Sequence, residues 1–243
     1  MAEVWDKLSL TLLNDGKTFA WQTSELPTHV FLHGWGRDYI DFEYFFDKVD
    51  GLFIDLPGFG KSPQPENVWT PSDYSVWLNS VLPRSVNTIV AHSFGGRVAT
   101  HYVSQFSSID KCILVGVPFT TSNVTKNNTW LDFLKKANKL NLIPKSYIEN
   151  YKMKHGSVDY TNSEGLMRDI LVTAVNDDLS KVLKNITTPV VLIWGEGDNE
   201  VPLRVAQEAH GNINNSRLFV LKDTGHNPFI NKGEEVMEII EQL

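Results

Sequence analysis

One serine of the chain has the surroundings that would let its hydroxyl group act as a nucleophile. Ser93 lies in residues 91–96, AHSFGG, directly after a short apolar run. A strand, a serine, glycines and then a helix are the order that a nucleophile elbow requires, because the sharp turn accepts only small side chains two positions before and after the serine. Ala91 and Gly95 meet this requirement. A helix predicted over 96–105 would direct its N-terminal N–H groups towards the serine, although a serine that merely caps a helix gives the same pattern.

A serine hydroxyl is a weak nucleophile at neutral pH and needs a base and an acid that orients the base. The candidate base is His226, in the loop after the last apolar run, and it completes the chain order serine, acid, histidine. The candidate acid is Asp198, which would hold the imidazole in one tautomer. Glu196 and Glu200 compete for this role, but Glu196 leaves the preceding strand too early and Glu200 too late. A loop histidine can also be a solvated bystander.

Two backbone amides are candidates for an oxyanion hole, the pair of donors that stabilises negative charge on a reacting carbonyl oxygen. One belongs to Phe94, the residue after the serine. The other belongs to Trp35, in residues 33–36, HGWG, which follow an apolar run. Glycines in that loop let the backbone approach a substrate, and a plain glycine turn is the alternative interpretation.

The elements that must position these residues follow from the hydrophobic pattern. Short, β-branched apolar runs are typical of strands that are buried on both faces, and helix-like stretches alternate with them, which predicts an α/β fold with a mostly parallel sheet. Segments 8–13 and 18–23 alternate more clearly and predict an antiparallel edge hairpin. Thr70, followed by a proline and then by an acid at the third helical position, predicts a helix start, and 234–243 predicts a C-terminal helix. The predicted parallel strands contain residues 30–32, 52–54, 88–90, 113–115, 190–193 and 218–221.

The alternation of strands and helices stops between residues 119 and 185. This stretch carries helix-like pieces, such as 129–137 and 164–175, and no convincing strand. We therefore expect a core formed by residues 1–118 and 186–243, and a helical cap, 119–185, inserted over the carboxyl edge of the sheet after the sixth strand.

Four segments together resemble the α/β-hydrolase-fold superfamily, in its branch of serine-triad esterases. They are residues 33–36, residues 55–62 (DLPGFGKS), residues 91–96, and the loops of Asp198 and His226. The resemblance covers nearly the whole chain and implies a sheet of about eight strands with helices on both faces. Within the superfamily, the chain is similar to the pimeloyl-acyl-carrier-protein methyl esterases. It departs from them in having alanine where a glycine usually opens the elbow, and in a shorter predicted cap.

The three residues and this resemblance predict a carboxylesterase that acts through an acyl-enzyme intermediate. A cap of the predicted size indicates esters of small to medium acyl groups. No cofactor is expected, and no metal ion either, because the chain lacks a His-Glu-x-x-His motif. A second hypothesis assigns the same three residues to carbon–carbon bond hydrolysis, lyase chemistry, or thioester or amide cleavage. A third is a non-enzymatic receptor with the hydrolase fold. Gly60, Lys61 and Ser62 are reminiscent of a phosphate-binding loop, but aspartate stands where that loop needs its first glycine and prolines follow.

Composition excludes other classes of protein. The chain has 243 residues and a net charge of −7, which argues against a nucleic-acid binder. Its single cysteine, Cys112, lies in an apolar run and is expected to be a buried small hydrophobe. The N-terminal sequence lacks the pattern of a signal peptide, and no apolar run approaches the roughly 18 residues of a membrane span, so we expect a cytoplasmic protein.

The predicted cap carries the information about the substrate. Residues 126–154 contain seven lysines and two acidic residues, so that this segment has a net charge of +5 and the rest of the chain −12. A solvated helix face explains such a pattern, and the alternative is a surface that attracts an anionic substrate or an acidic carrier protein. Aromatic residues in the same region are candidates for an apolar acyl pocket, although cap packing explains them equally well: Trp130, Phe133, Tyr147 and Tyr151.

Overall fold

The computed structural model describes residues 7–120, 144, 146 and 158–242. The four aromatic residues predicted to bind the substrate, Trp130, Phe133, Tyr147 and Tyr151, lie outside these residues. The seven lysines of the segment 126–154 and the helix predicted over 129–137 lie outside them as well.

An eight-stranded sheet forms the centre of the molecule, with the strand order β1-β2-β4-β3-β5-β6-β7-β8. The six strands from β3 to β8 pair in parallel, and all six predicted parallel strands are confirmed. The predicted antiparallel hairpin is also confirmed, because β1 pairs with β2, and β2 pairs with β4, in antiparallel register at one edge. The strands are β1 (Ser9–Leu12), β2 (Phe19–Gln22), β3 (His29–Leu32), β4 (Gly51–Ile54), β5 (Thr88–His92), β6 (Lys111–Val115), β7 (Val190–Gly195) and β8 (Ser216–Leu221).

Side chains of the central strands alternate between two buried layers. In β6, for example, Cys112 and Leu114 belong to one layer, whereas Ile113 and Val115 belong to the other. A strand directs successive side chains to opposite faces, so continuous apolar runs are what a sheet covered on both sides requires. Cys112 is fully buried, as predicted, and burial raises the pKa of its thiol.

Helices cover both faces of this sheet. At the start of the first helix, the Thr70 hydroxyl accepts the Asp73 N–H at 3.2 Å while the Asp73 carboxylate accepts the Thr70 N–H at 2.8 Å, which confirms the predicted helix start. The helices outside the 119–185 segment are a 3-10 helix (Tyr39–Phe45), α1 (Pro71–Val81), α2 (Ser93–Gln105), α6 (Leu203–His210), α7 (Pro228–Asn231) and α8 (Gly233–Glu241).

The helix predicted over 96–105 begins three residues earlier, at Ser93 itself. The sequence pattern placed the start at Gly96 because Ser93 was assigned to the turn that precedes the helix. In the structure this turn and the first turn of the helix overlap. The helix also approaches the sheet closely, since a Cβ atom at Gly96 would lie 2.2 Å from the Val117 side chain.

Three helices precede β7 in the described part of the 119–185 segment, and no described residue of that segment lies in a strand. They are α3 (Val158–Asn162), α4 (Gly165–Val175) and α5 (Ser180–Leu183). The turn after α4 is tied to α2. The buried Arg97 guanidinium donates to the Asp177 carbonyl at 2.7 Å, and the His101 ring lies 2.9 Å from the Asp177 carboxylate. In the described part of the chain, no helix is both long and apolar enough to span a bilayer.

Candidate active site

Ser93 occupies a strained turn between β5 and α2. Its φ angle is +47°, in the left-handed region that costs a residue with a side chain about 1–3 kcal/mol. The turn is pressed against the end of β3, because a Cβ atom at Gly95 would lie only 2.4 Å from the carbonyl oxygen of Leu32. Ala91, which replaces the usual first glycine, is fully buried in β5, where it pairs with Leu32. The local geometry is the tight strand-to-helix turn that a nucleophile elbow requires.

The loop after β3 is fixed by a buried histidine. Burial lowers the pKa of His33 to about 4, so the ring is neutral near pH 7. The Leu56 N–H donates to Nε2 of His33 at 3.0 Å, so the ring proton lies on Nδ1 and is donated to the Gly34 carbonyl at 2.7 Å. One side chain therefore connects the loop that carries Trp35 to the loop after β4.

Two amide groups face no acceptor in the described residues. The Trp35 N–H makes no hydrogen bond there, and neither does the Phe94 N–H, which belongs to the first turn of α2 and so has no partner within the helix. The Trp35 ring meets the Phe94 ring edge-on with centroids 5.1 Å apart, and the Trp35 indole N–H donates to the Ser163 hydroxyl at 3.2 Å. Ser163 directly follows α3, so this segment contacts the loop of Trp35.

The segment 55–62 forms a turn that its own first residue stabilises. The Asp55 carboxylate accepts the Tyr39 N–H at 3.1 Å and the Lys61 N–H at 2.8 Å. Gly60 has a φ of +54°, and a Cβ atom there would lie 1.9 Å from Asp55 Oδ2, so glycine is required. No helix begins until Pro71, which differs from the loop-to-helix order of a phosphate-binding loop.

Both carboxylate oxygens of Asp198 are used. Oδ1 accepts the backbone N–H groups of Glu200 at 2.9 Å and Val201 at 2.8 Å, and Oδ2 lies 2.8 Å from Nδ1 of His226. The Asp198 side chain is only 1% exposed. Glu196 and Glu200, the competing acids, are both exposed. Of the three carboxylates, the structure brings only that of Asp198 within hydrogen-bond distance of the imidazole.

Backbone contacts hold the loops of Asp198 and His226 together. The Gly197 N–H donates to the Thr224 carbonyl at 3.0 Å. A Cβ atom at Gly195 would lie 2.1 Å from the carbonyl oxygen of Gly225. The backbones of the two loops therefore approach each other too closely for any side chain at position 195. The glycines before Asp198 permit the short distance between the carboxylate and the ring.

His226 also lies beside the elbow. Its ring centroid is 4.8 Å from that of His92, the residue before Ser93, and its backbone carbonyl lies 2.9 Å from Nε2 of His92. A Cβ atom at Gly116, the residue after β6, would approach the His226 ring to 3.0 Å, so a glycine at this position also leaves space for the imidazole. Among the described side chains, Ser93 and His226 do not hydrogen-bond to each other, and contacts of this kind often tighten only when a substrate is bound.

Carboxylates set the protonation of His226. Burial alone would lower its pKa, but the hydrogen bond to Asp198 and the negative charges of Asp198, Glu200 and Asp159 raise the pKa above the ordinary value of histidine. Glu200 Oε2 lies 3.7 Å from Nε2, and the Glu200 side chain is 72% exposed. If the neutral ring is the working form, activity must rise with pH through this raised pKa.

Replacing Glu200 with glutamine removes one of these negative charges. We expect the acid limb of the kcat/KM profile to move to lower pH in Glu200→Gln, because the protonated imidazole loses an attractive partner. The shift should shrink at high ionic strength, since Glu200 is exposed to solvent. The measurement is kcat/KM for a neutral ester between pH 4.5 and 9.

The matched control is Glu196→Gln, which removes the same charge from an exposed position of the same loop. Its acid limb should coincide with that of the unmodified protein. A Glu200→Gln profile that does not move, or that moves to higher pH, would contradict this account of the electrostatics.

The sequence patterns did not single out three side chains that lie around His226. They are His92, Asn227 and Asp41, and the Asn227 amide donates to Asp41 at 3.1 Å. His92 and Asn227 could have been found because they are adjacent in sequence to Ser93 and His226. Nothing in the sequence marked Asp41. Within the described ranges, no three or more histidine, cysteine or acidic side chains are grouped closely enough to hold a metal ion.

Known proteins share the fold over almost the whole length. Two relatives are the AB hydrolase superfamily protein YisY of Bacillus subtilis, 24% identical, with 88% of this chain and 90% of the relative covered, and the pimeloyl-[acyl-carrier protein] methyl ester esterase of Vibrio vulnificus, 23% identical, with 88% and 93% covered. Two similar solved structures are an esterase of Exiguobacterium antarcticum, with a TM-score of 0.68, 20% identity and coverage of 96% and 98%, and a thermophilic esterase, with a TM-score of 0.72, 23% identity and coverage of 97% and 96%.

The family match includes every element that carries the elbow, the Asp198 loop and the His226 loop. Residues 30–239 match the Alpha/beta hydrolase family, from β3 to the C-terminal helix α8. The sheet order and the position of Ser93 at the end of β5 agree with the resemblance seen in the sequence. The chain belongs to the alpha/beta hydrolase family.

Proposed function

We propose that the protein is a serine carboxylesterase that cleaves esters of small to medium acyl groups through an acyl-enzyme intermediate. The observation that carries this proposal is the 2.8 Å contact between Asp198 and Nδ1 of His226, placed beside the strained turn of Ser93. Relatives and structural neighbours named as esterases support the same class of reaction.

Each residue then has a defined role. The Ser93 oxygen attacks the ester carbonyl carbon while Nε2 of His226 takes the hydroxyl proton, and Asp198 stabilises the resulting imidazolium through Nδ1. The N–H groups of Trp35 and Phe94 stabilise the oxyanion, each contributing about 3–4 kcal/mol to the transition state. His226 gives its proton to the leaving alcohol. A water molecule, activated by the same imidazole, then hydrolyses the acyl-enzyme to release the acid and restore the Ser93 hydroxyl.

The helices α3, α4 and α5 would belong to a cap, 119–185, inserted between the core segments 1–118 and 186–243. The contact of the Trp35 indole with Ser163 supports this arrangement, because it places the segment after α3 against the loop of one oxyanion donor. The cap would limit the size of the acyl group that reaches Ser93.

The test of this function combines covalent labelling with turnover. A fluorophosphonate should label one site, Ser93, and a series of p-nitrophenyl esters from acetate to dodecanoate should give its highest kcat/KM at a short or medium chain. Rapid labelling of Ser93 with no ester turnover would contradict esterase activity. It would instead favour thioester, amide or carbon–carbon bond cleavage, or a receptor. Absence of labelling would contradict an activated Ser93.

The lysines of the segment 126–154 give the substrate hypothesis a second part, an anionic substrate or an acidic carrier protein. The similarity to the esterase of Vibrio vulnificus, whose name includes an acyl-carrier protein, supports this part. The carboxylates of Glu200 and Asp159, which raise the pKa of His226, would repel a negative charge close to the imidazole. The lysines would therefore attract the distal end of a substrate whose ester group is neutral.

Salt distinguishes steering by these lysines from an ordinary solvated helix face. For an ester with a distal carboxylate, kcat/KM should fall by at least about threefold from low to high ionic strength, while a neutral ester of equal length is unaffected. The variant Lys135→Gln/Lys136→Gln should lose most of this salt dependence. The control Lys17→Gln/Lys48→Gln, which removes two exposed lysines outside the proposed cap, should keep it. An equal salt response for both esters would contradict the hypothesis.

A further inference from the structure

Asn227 lies immediately after the proposed catalytic base and connects it to a buried carboxylate. We propose that Asn227 is a positioning residue, which fixes the backbone of His226 by donating a hydrogen bond to Asp41. This inference rests on the proposed function of His226. The hydrogen bond would hold the imidazole of His226 in its position beside Ser93.

The contact is charge-assisted and largely shielded from water. Nδ2 of Asn227 lies 3.1 Å from Oδ2 of Asp41, whose side chain is only 7% exposed. Nε of Arg37 donates to both oxygens of Asp41, at 3.0 and 2.8 Å, and Nη2 of Arg37 donates to Oδ1 as well. The hydrogen bond and the charge of Asp41 raise the pKa of Arg37, although partial burial opposes this. The guanidinium of Arg37 thus donates to both oxygens of Asp41, which makes this carboxylate part of a charge-assisted hydrogen-bond network.

Arg37 and Asp41 also belong to the segment that carries Trp35, a proposed oxyanion donor. Arg37 is two residues after Trp35, and Asp41 lies in the 3-10 helix that follows. The bond from Asn227 to Asp41 joins positions 186 residues apart in the chain. It thus links the loop of the proposed base directly to the loop of a proposed oxyanion donor, so the two groups keep a fixed separation.

Other contacts hold the neighbours of Asn227. On one side, burial lowers the pKa of His92 to about 3, so its ring is neutral, and Nδ1 of His92 has no partner among the described residues. The proton therefore lies on Nε2 and is donated to the His226 carbonyl at 2.9 Å. On the other side, the Phe229 ring packs against Phe42 and Phe45 of the 3-10 helix, with centroids 4.9 and 5.7 Å away.

Among the described residues, the Asn227 side chain makes one hydrogen bond, the bond to Asp41. Oδ1 of Asn227 is buried without a partner among the described residues, so Nδ2 alone is engaged. Removing the amide leaves the Arg37–Asp41 pair intact, and Asn227→Ala therefore leaves no unpaired charge. A change in catalysis in this variant would reflect the position of His226 and not the collapse of a buried ion pair.

The first test is Asn227→Ala. We expect kcat for a p-nitrophenyl ester to fall roughly tenfold to a hundredfold, because small displacements of a catalytic group cost this much. KM should change by less than about twofold, since the amide is engaged with Asp41 and would act through the position of His226. The rate of fluorophosphonate labelling, which requires His226 but no substrate recognition, should fall in parallel with kcat. The control Asn212→Ala, whose amide donates to the Glu208 carbonyl in another part of the chain, should change neither rate.

A reciprocal exchange provides a second test that does not depend on a truncation. Asn227→Asp places two carboxylates in contact and should lower kcat and the labelling rate at least as much as Asn227→Ala. In the double variant Asp41→Asn/Asn227→Asp an amide again faces a carboxylate. Because Asp41→Asn also removes the ion pair with Arg37, the reference is the product of the two single-variant effects, and we expect the kcat of the double variant to exceed the value so predicted by at least about tenfold. A double variant with no gain over that product, or an Asn227→Ala variant with unchanged kcat and labelling, would overturn the positioning role.

Failure of the proposed function would look different. In that case the unmodified protein would itself show no labelling at Ser93, and the positioning role would fall with it. If the unmodified protein is labelled at Ser93 and hydrolyses esters, a normal Asn227→Ala variant overturns only the role of Asn227.

Discussion

Replacing Ser93 with alanine should lower kcat for a p-nitrophenyl ester by at least about a thousandfold, because no acyl-enzyme can then form. The residual rate would come from the two amides, which still stabilise an oxyanion when water attacks directly. Ser93→Ala should also abolish labelling by a fluorophosphonate. The measurement is kcat under saturating substrate, together with the mass of the labelled protein.

The stability of Ser93→Ala separates chemistry from folding. The Ser93 hydroxyl makes no hydrogen bond to another described residue, so its removal should leave the Tm nearly unchanged. Ser80→Ala, on the exposed side of α1, is the control for a serine outside the site. Turnover by Ser93→Ala within tenfold of the unmodified protein would contradict the role of Ser93 as nucleophile.

Asp198→Asn has the second large expected effect. The new side chain keeps its oxygen on the N–H groups of Glu200 and Val201 and turns its amide towards His226. Two donors would then face each other at Nδ1, unless the imidazole moves its proton to Nε2, where it can no longer accept the proton of Ser93. We expect kcat to fall by about a thousandfold to ten-thousandfold.

The neighbouring variant Glu200→Gln is the comparison for Asp198→Asn. It removes a charge near the same ring but leaves Nδ1 bound to Asp198, so kcat at alkaline pH should stay within about threefold of the unmodified protein. If Asp198→Asn retained kcat within tenfold, or if Glu200→Gln lost activity to the same extent, the orienting acid would have been assigned to the wrong residue.

Much of the fold could be predicted because the central strands are covered on both faces. Continuous apolar runs such as 190–193 occur where both faces are buried, and they mark β7 clearly. The helix start at Thr70 was also readable, because a capping box depends on residues three positions apart. Close backbone approaches explain why glycines mark the elbow and the Asp198 loop, at Gly95 and Gly195.

Contacts between distant segments could not be predicted in the same way. Asn227 meets Asp41 across 186 residues of sequence, and His92 meets the His226 carbonyl across 134. Neither pair has a characteristic sequence spacing or a local sequence pattern, because the sheet order brings these loops together only after folding. The start of α2 at Ser93 was missed for another reason: Ser93 has the φ of +47° that a sharp turn requires, and it is nonetheless the first residue of the helix.

A crystal structure of the protein after reaction with a p-nitrophenyl alkylphosphonate tests the central proposal most directly. We predict a covalent bond from phosphorus to Oγ of Ser93, with the phosphoryl oxygen about 2.7–3.1 Å from the amide nitrogens of Trp35 and Phe94. Nε2 of His226 should lie within hydrogen-bond distance of an oxygen of the adduct while Nδ1 remains on Asp198. An adduct on another residue, or an imidazole that stays out of reach of the Ser93 adduct, would contradict the proposed catalytic site.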